Sequence, residues 1–93
     1  MVGCNARLSK AQARRLAQVG HDGWARTIRP VHTPMDGDTL FSLATAQVMD
    51  EPDMLLLSTL AAEAVALATV QAVREAKALR VGDLWWPAAP DLT

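Results

Sequence analysis

Apolar positions recur at helical spacing in two stretches of this chain, with a shorter strand-like run between them. Ala13, Leu16, Ala17, Gly20, Trp24 and Ile28 fall near one face of a helix, while Lys10, Arg14, Arg15, Gln18 and Asp22 fall mostly elsewhere. Ser9 followed by Gln12 predicts a capping box at its start, and Pro30 ends it, because the residue before a proline avoids the α region. Residues 39–45 read as a strand: Leu40, Phe41 and Leu43 put apolar groups on both faces, which suits a buried strand. A second helix is predicted over residues 53–79, capped by Asp50 or Glu51 and stopped by Gly82. Arg74, Lys77 and Arg80 lie near its end, where cations suit the helix dipole. Residues 2–6 suggest a strand end, and residues 83–93 a loop.

The resulting order is strand, helix, strand, helix, an α/β fold class. Two strands alone make a marginal sheet in water. The second helix carries Leu55, Leu56, Leu57, Leu60, Val65, Leu67, Val70 and Val73 around much of its circumference, so it requires burial on more than one side. The chain has too few elements to cover it. The pattern therefore predicts docking onto a larger partner or self-association through a wide apolar surface. The segment 54–73 is also long enough to raise the question of a membrane span. Glu63 sits in its middle, and a central acid costs about 2.5–3.5 kcal/mol on insertion. An Ala-rich segment has little surplus to offset this, and the expectation is a buried soluble helix.

With 93 residues, one domain is expected. A hydrophobic content of 51% excludes intrinsic disorder as the overall description. A net charge of −1 gives no general attraction to nucleic acid or acidic membranes. Cys4 is the only cysteine, so no internal disulfide forms, and a reducing, cytoplasmic setting is the default. No Cys/His spacing resembles a zinc site, and no cofactor is called for.

The candidate chemistry lies in the run Arg29-Pro30-Val31-His32-Thr33-Pro34-Met35-Asp36-Gly37-Asp38-Thr39-Leu40-Phe41. In an extended backbone Asp36 and Asp38 point to the same side, and Gly37 allows a tight turn or a close approach. Neighbouring carboxylates are natural proton handlers, since each raises the cost of ionising the other. A polar turn before a strand is the plainer reading of the same residues. His21 and His32 fit a structural or surface role, or ligands and proton carriers with Asp22, Asp36 and Asp38 nearby in sequence. Cys4 reads as a small buried residue, Trp85 and Trp86 as a docked C-terminal segment, and Lys10, Arg14 and Arg15 as a solvated helix face.

This run, together with residues 5–17 and His21-Asp22-Gly23-Trp24-Ala25-Arg26, resembles the DmpA-type N-terminal-nucleophile hydrolases. These are the L-aminopeptidase/D-amidase-esterase enzymes, and the likeness is strongest to their nylon-oligomer-hydrolase branch. It extends over residues 2 to about 76. It implies a β-subunit-like portion over residues 1–80, a fragment of a layered α/β/β/α sandwich, with residues 81–93 an unmatched tail. In this family a precursor cleaves itself, and the new β-subunit N-terminus, a Thr or Ser, attacks the amide carbonyl. The resemblance places that nucleophile about four positions ahead of Met1, assigns Asp36 and Asp38 to the acid pair beside it, and makes Gly37 their spacer. It gives His21 and His32 no chemical role. Ala46 stands where the family commonly has glycine.

The resemblance thus implies an amide- or peptide-bond hydrolase portion, with a peptide or small amide as substrate of the complete enzyme. The chain alone is expected to be inactive, and its expected partner is an α-subunit-like polypeptide. Three other readings stand beside it: a non-catalytic interaction module using the second helix and the Trp pair, a truncated relic, and a small metal-binding protein using the histidines and acids.

Overall fold

Ser9 opens the first helix as the sequence predicts. Its hydroxyl accepts from the Gln12 amide at 3.2 Å, and its own amide donates to Gln12 Oε1 at 2.9 Å. In the computed structural model, which describes residues 1–92, this helix is α1 (Lys10–Thr27). It closes where the Ile28 amide donates to the Trp24 carbonyl and the backbone turns extended ahead of Pro30. The strand β1 (Val2–Ala6) precedes it. After a loop, β2 (Ser42–Val48) returns parallel to β1, with Val2 beside Ser42, Gly3 beside Leu43 and Cys4 beside Ala44. The observed order is the strand-helix-strand-helix arrangement of an α/β chain.

The second strand starts three residues later than the apolar pattern indicated, because pairing with β1 begins at Ser42. Its outer side is not buried, either. Val2, Cys4, Ala6, Ser42 and Ala44 are half-buried toward the helices, whereas Gly3, Asn5, Leu43 and Thr45 are exposed. Among the described residues nothing covers that second face. Between Cys4 and Ala6 the register slips, so that Ala6 meets Val48. Two extra residues lie in β2 between Ala44 and Val48, where Ala46 adopts φ 58°, a left-handed conformation that suits glycine.

The helix α2 (Met54–Glu75) is capped by Asp53, not by Asp50 or Glu51: Asp53 Oδ1 accepts from the Leu56 amide at 3.1 Å. The helix ends at Glu75, four residues before the expected end, and Gly82 does not stop it. Gly82, at φ 59°, instead forms the turn of a short antiparallel hairpin, β3 (Leu79–Val81) and β4 (Leu84–Trp86). A 3₁₀ turn, Ala89–Leu92, follows. The tail is therefore structured where a loop was expected, and Thr93 lies outside the described residues. Trp85 and Trp86 are half exposed on the hairpin and not docked.

The core is the crossing of α1 and α2. Leu16, Ala61, Ala62 and Ala66 are buried there, along with Gly20 and Gly23. Gly23 is required by this crossing. A Cβ on it would lie against the Ala62 carbonyl oxygen and within 2.8 Å of the Ala66 nitrogen and of Val65 Cβ. Small residues on both helices thus let the two backbones approach. Burial of α2 stops at that contact. The helix is long and apolar enough to cross a membrane by length and composition, with mean hydropathy 1.6, yet only 17% of that stretch is buried. The expected enclosure of this helix is not met within the chain.

Candidate functional site

Residues 28–41 join α1 to β2 and carry the acid pair. One ring contact joins this loop to α1, from His32 to His21, and a second within α1 sets the His21 ring. His21 stands edge-on to Trp24 at 5.0 Å between centroids, and His32 reaches His21 at 5.4 Å. His32 has a φ of 55°, a left-handed conformation uncommon for a residue with a Cβ. At the far end Leu40 anchors the loop, with its side chain packed against Gly20. Leu40, Met1, Trp24 and Val65 line a small apolar cavity of about 240 Å³, so the start of the chain and the end of this loop share one environment. The histidines therefore position the loop. No group of three or more His, Cys, Asp or Glu able to hold a metal is present among the described residues.

Between these anchors the backbone folds back at residues 33–36. The Asp36 amide donates to the Thr33 carbonyl at 3.1 Å, and Asp36 Oδ2 accepts from the Thr33 amide at 3.0 Å. The Met35 amide also donates to Thr33 Oγ1. Asp36 is thus part of a tight turn, and simple strand alternation does not govern how it and Asp38 relate. The short side chain of an aspartate competes for nearby amides, which is why such residues close turns. Gly37 lies after the turn and not within it, and a Cβ there would meet nothing within 4 Å. Among the described residues Asp38 makes no side-chain hydrogen bond or ion pair, and Asp36, Gly37 and Asp38 are all exposed.

The decisive geometry is where this exposed stretch leads. The Val2 amide donates to the Phe41 carbonyl at 2.8 Å, and Val2 pairs with Ser42. Because β1 and β2 are parallel, the entry to β1 and the entry to β2 lie at the same end of the sheet. The acid pair precedes β2 by only a few residues. It therefore sits at the end of the molecule where the chain begins.

Other features lie apart from this end. Cys4 is half-buried against Leu16 and Ala61 and not fully enclosed, because the sheet edge beside it is open. A larger groove of about 670 Å³ runs between the first turns of α2 and the exposed side of α1, past Arg15, Asp22, Arg26 and Leu55. Asp36 and Asp38 do not line it. Lys10, Arg14 and Arg15 are exposed, as a solvated helix face should be. Sequence reasoning missed the left-handed His32 and the loop contacts it makes; no local pattern announces a contact between a loop residue and a helix eleven positions earlier.

Comparison with known proteins adds a family. Peptidase family S58 matches residues 1–81. An uncharacterized aminopeptidase of Mycobacterium tuberculosis is 57% identical over 53 residues, which are 57% of this chain and 15% of that protein. A similarly described aminopeptidase of Mycobacterium leprae is 54% identical over 48 residues, 52% of this chain and 13% of the relative. The 6-aminohexanoate-oligomer endohydrolase of Paenarthrobacter ureafaciens is 41% identical over 44 residues, 47% of this chain and 12% of that enzyme. The matched part of the chain thus spans only about an eighth to a seventh of the length of these relatives. No solved structure matches the chain.

Proposed function

The chain belongs to peptidase family S58, and from that premise we propose that it acts as the β-subunit-like portion of an amide- or peptide-bond hydrolase, with the attacking hydroxyl supplied by a residue ahead of Met1. The parallel register of β1 and β2 carries this reading. Val2 lies beside Ser42. If that ladder ran on past Met1 and back through residues 37–41, which lie outside β2, the fourth position ahead of Met1 would stand level with Gly37, between Asp36 and Asp38. That is the position at which the resemblance expects the Thr or Ser.

In this reading the hydroxyl oxygen forms a bond to the substrate's carbonyl carbon, the free α-amine takes the hydroxyl proton, and the amine product leaves with a proton. Water then hydrolyses the resulting ester. Asp36 and Asp38 hold the α-amine and hydroxyl in place and carry protons between them. The open space around Gly37 leaves room for an added segment and a substrate. Substrate recognition and oxyanion stabilisation fall to an α-subunit-like polypeptide, which also covers the bare face of the sheet. The chain by itself is inactive in this reading.

A chimera tests it: the upstream portion of the M. tuberculosis relative is fused ahead of Met1, and hydrolysis of aminoacyl amides and of 6-aminohexanoate oligomers is measured. The fusion is expected to cleave itself and turn over, and Asp36→Asn or Asp38→Asn is expected to slow either step by about 10²-fold or more. Unchanged rates in both variants would remove the assignment of the acid pair.

A further inference from the structure

We propose that α2 is the seam of a homodimer, in which two copies of this chain pack α2 against α2 in antiparallel orientation through Leu56, Leu60, Leu67 and Val70. This goes beyond the hydrolase reading and does not depend on it, because the seam and the acid pair use different surfaces.

Three sides of α2 are distinguishable. One packs on α1 through Ala62 and Ala66, and a second faces β1 through Leu57 and Ala61, with Leu60 at the margin between it and the third side. The third is open. Positions 56, 60, 63, 67, 70 and 74 follow one another at alternating steps of four and three, the spacing of a helix–helix seam. Leu56, Leu60 and Leu67 on this stripe are 54%, 53% and 60% exposed. Of the two charges within the stripe, Glu63 is engaged by Arg26 at 3.7 Å and Arg74 stands at its end.

The charges at the two ends of α2 select the occupant. Asp50, Glu51 and Asp53 stand at its start, with Glu51 3.8 Å from Arg7, and Arg74, Lys77 and Arg80 stand at or beyond its end, with Glu75 as the one acid among them. A second copy laid antiparallel brings the basic end of each helix to the acidic end of the other, twice, by one two-fold axis. A parallel pairing would juxtapose like charges at both ends. With Lys77 level with Asp53 of the second copy, the axis falls level with Val65, and Glu63 faces Leu67 rather than its own counterpart. A helix of 22 residues presents a seam about 33 Å long. That length places the contact at the small end of stable interfaces, so the dimer is reversible.

The test is sedimentation equilibrium of the 93-residue chain at low salt, with circular dichroism to confirm that each variant is folded. The chain is expected to dimerise reversibly at concentrations up to about 200 μM. Leu67→Lys, at an exposed position, is expected to leave it monomeric. The pair Asp50→Lys with Glu51→Lys, and separately the pair Arg74→Glu with Lys77→Glu, are each expected to weaken self-association by about tenfold or more. An equimolar mixture of these two double variants is expected to restore it, since opposite charges then meet at both ends. A monomeric chain throughout that range would overturn the proposal, as would a dimer indifferent to Leu67→Lys and the charge reversals. A chain that is monomeric in buffer but sediments with phosphatidylcholine vesicles would assign the stripe to a membrane surface instead.

Discussion

Ala46 shows how a single residue records the backbone around it. It occupies a left-handed conformation at the point where β2 carries two residues more than β1. A Cβ there costs about 1–2 kcal/mol, partly offset in glycine by the larger entropy of the unfolded chain. Ala46→Gly is therefore expected to stabilise the fold by roughly 0.5–1 kcal/mol, read from a shift in the urea midpoint at constant slope. A loss of stability would mean that the bulge is not formed. Asp36 teaches the converse. Its position two residues from Asp38 suggested a shared face, but its carboxylate closes a turn on the Thr33 amide instead. Residue spacing is informative only once the backbone is known to be extended, and the tripeptide 36–38 gives no sign of where the preceding turn ends.

At the scale of elements, α1 was legible because its start is written in two residues, Ser9 and Gln12, and its end in Pro30. The cap of α2 was placed too early and its end too late, since Asp50, Glu51 and Asp53 are chemically equivalent candidates and no proline or glycine marks the stop at Glu75. The hairpin was missed because each of its strands is three residues long, below the reach of any periodicity. The helix crossing carries the sharpest expectation. Gly23→Ala forces a methyl group onto the backbone of α2, and such overpacking costs typically about 1–3 kcal/mol. Gly3→Ala, with open space around the added carbon, is expected to leave the urea midpoint nearly unchanged. Equal effects at the two positions would contradict the close approach of α1 and α2.

The whole molecule measures 53 × 28 × 21 Å with a radius of gyration of 16.4 Å, against about 12 Å for a compact domain of this length. The excess comes from a hairpin that projects beyond the helices and from a single sheet layer with one face bare. Few large side chains are buried, and Phe41, Leu43, Leu67, Trp85 and Trp86 remain open. The sequence already suggested this incompleteness, because α2 is apolar around more of its surface than two strands and one helix can cover. It could not reveal which surfaces would stay open. That depends on the parallel pairing, which also brings the loop of the acid pair to the end where the chain starts.

This placement is the centre of the account, and a cross-link tests it directly. In the chimera with the upstream portion of the M. tuberculosis relative, Cys4→Ala removes the native thiol, one cysteine is placed four positions ahead of Met1, and Gly37→Cys supplies the other. Opposed positions on neighbouring strands lie within the Cα separation of about 4.4–6.8 Å that a disulfide spans. Both positions stay within one chain whether or not the chimera cleaves itself, because cleavage would leave the upstream cysteine as the new N-terminus of the portion that carries residue 37. Mild oxidation is expected to join the two cysteines rapidly within one chain, as read by mass spectrometry, with no comparable bridge when the second cysteine is Thr45→Cys. Failure of the bridge at Gly37, or equal bridging at Thr45, would contradict the placement of the attacking residue beside Asp36 and Asp38.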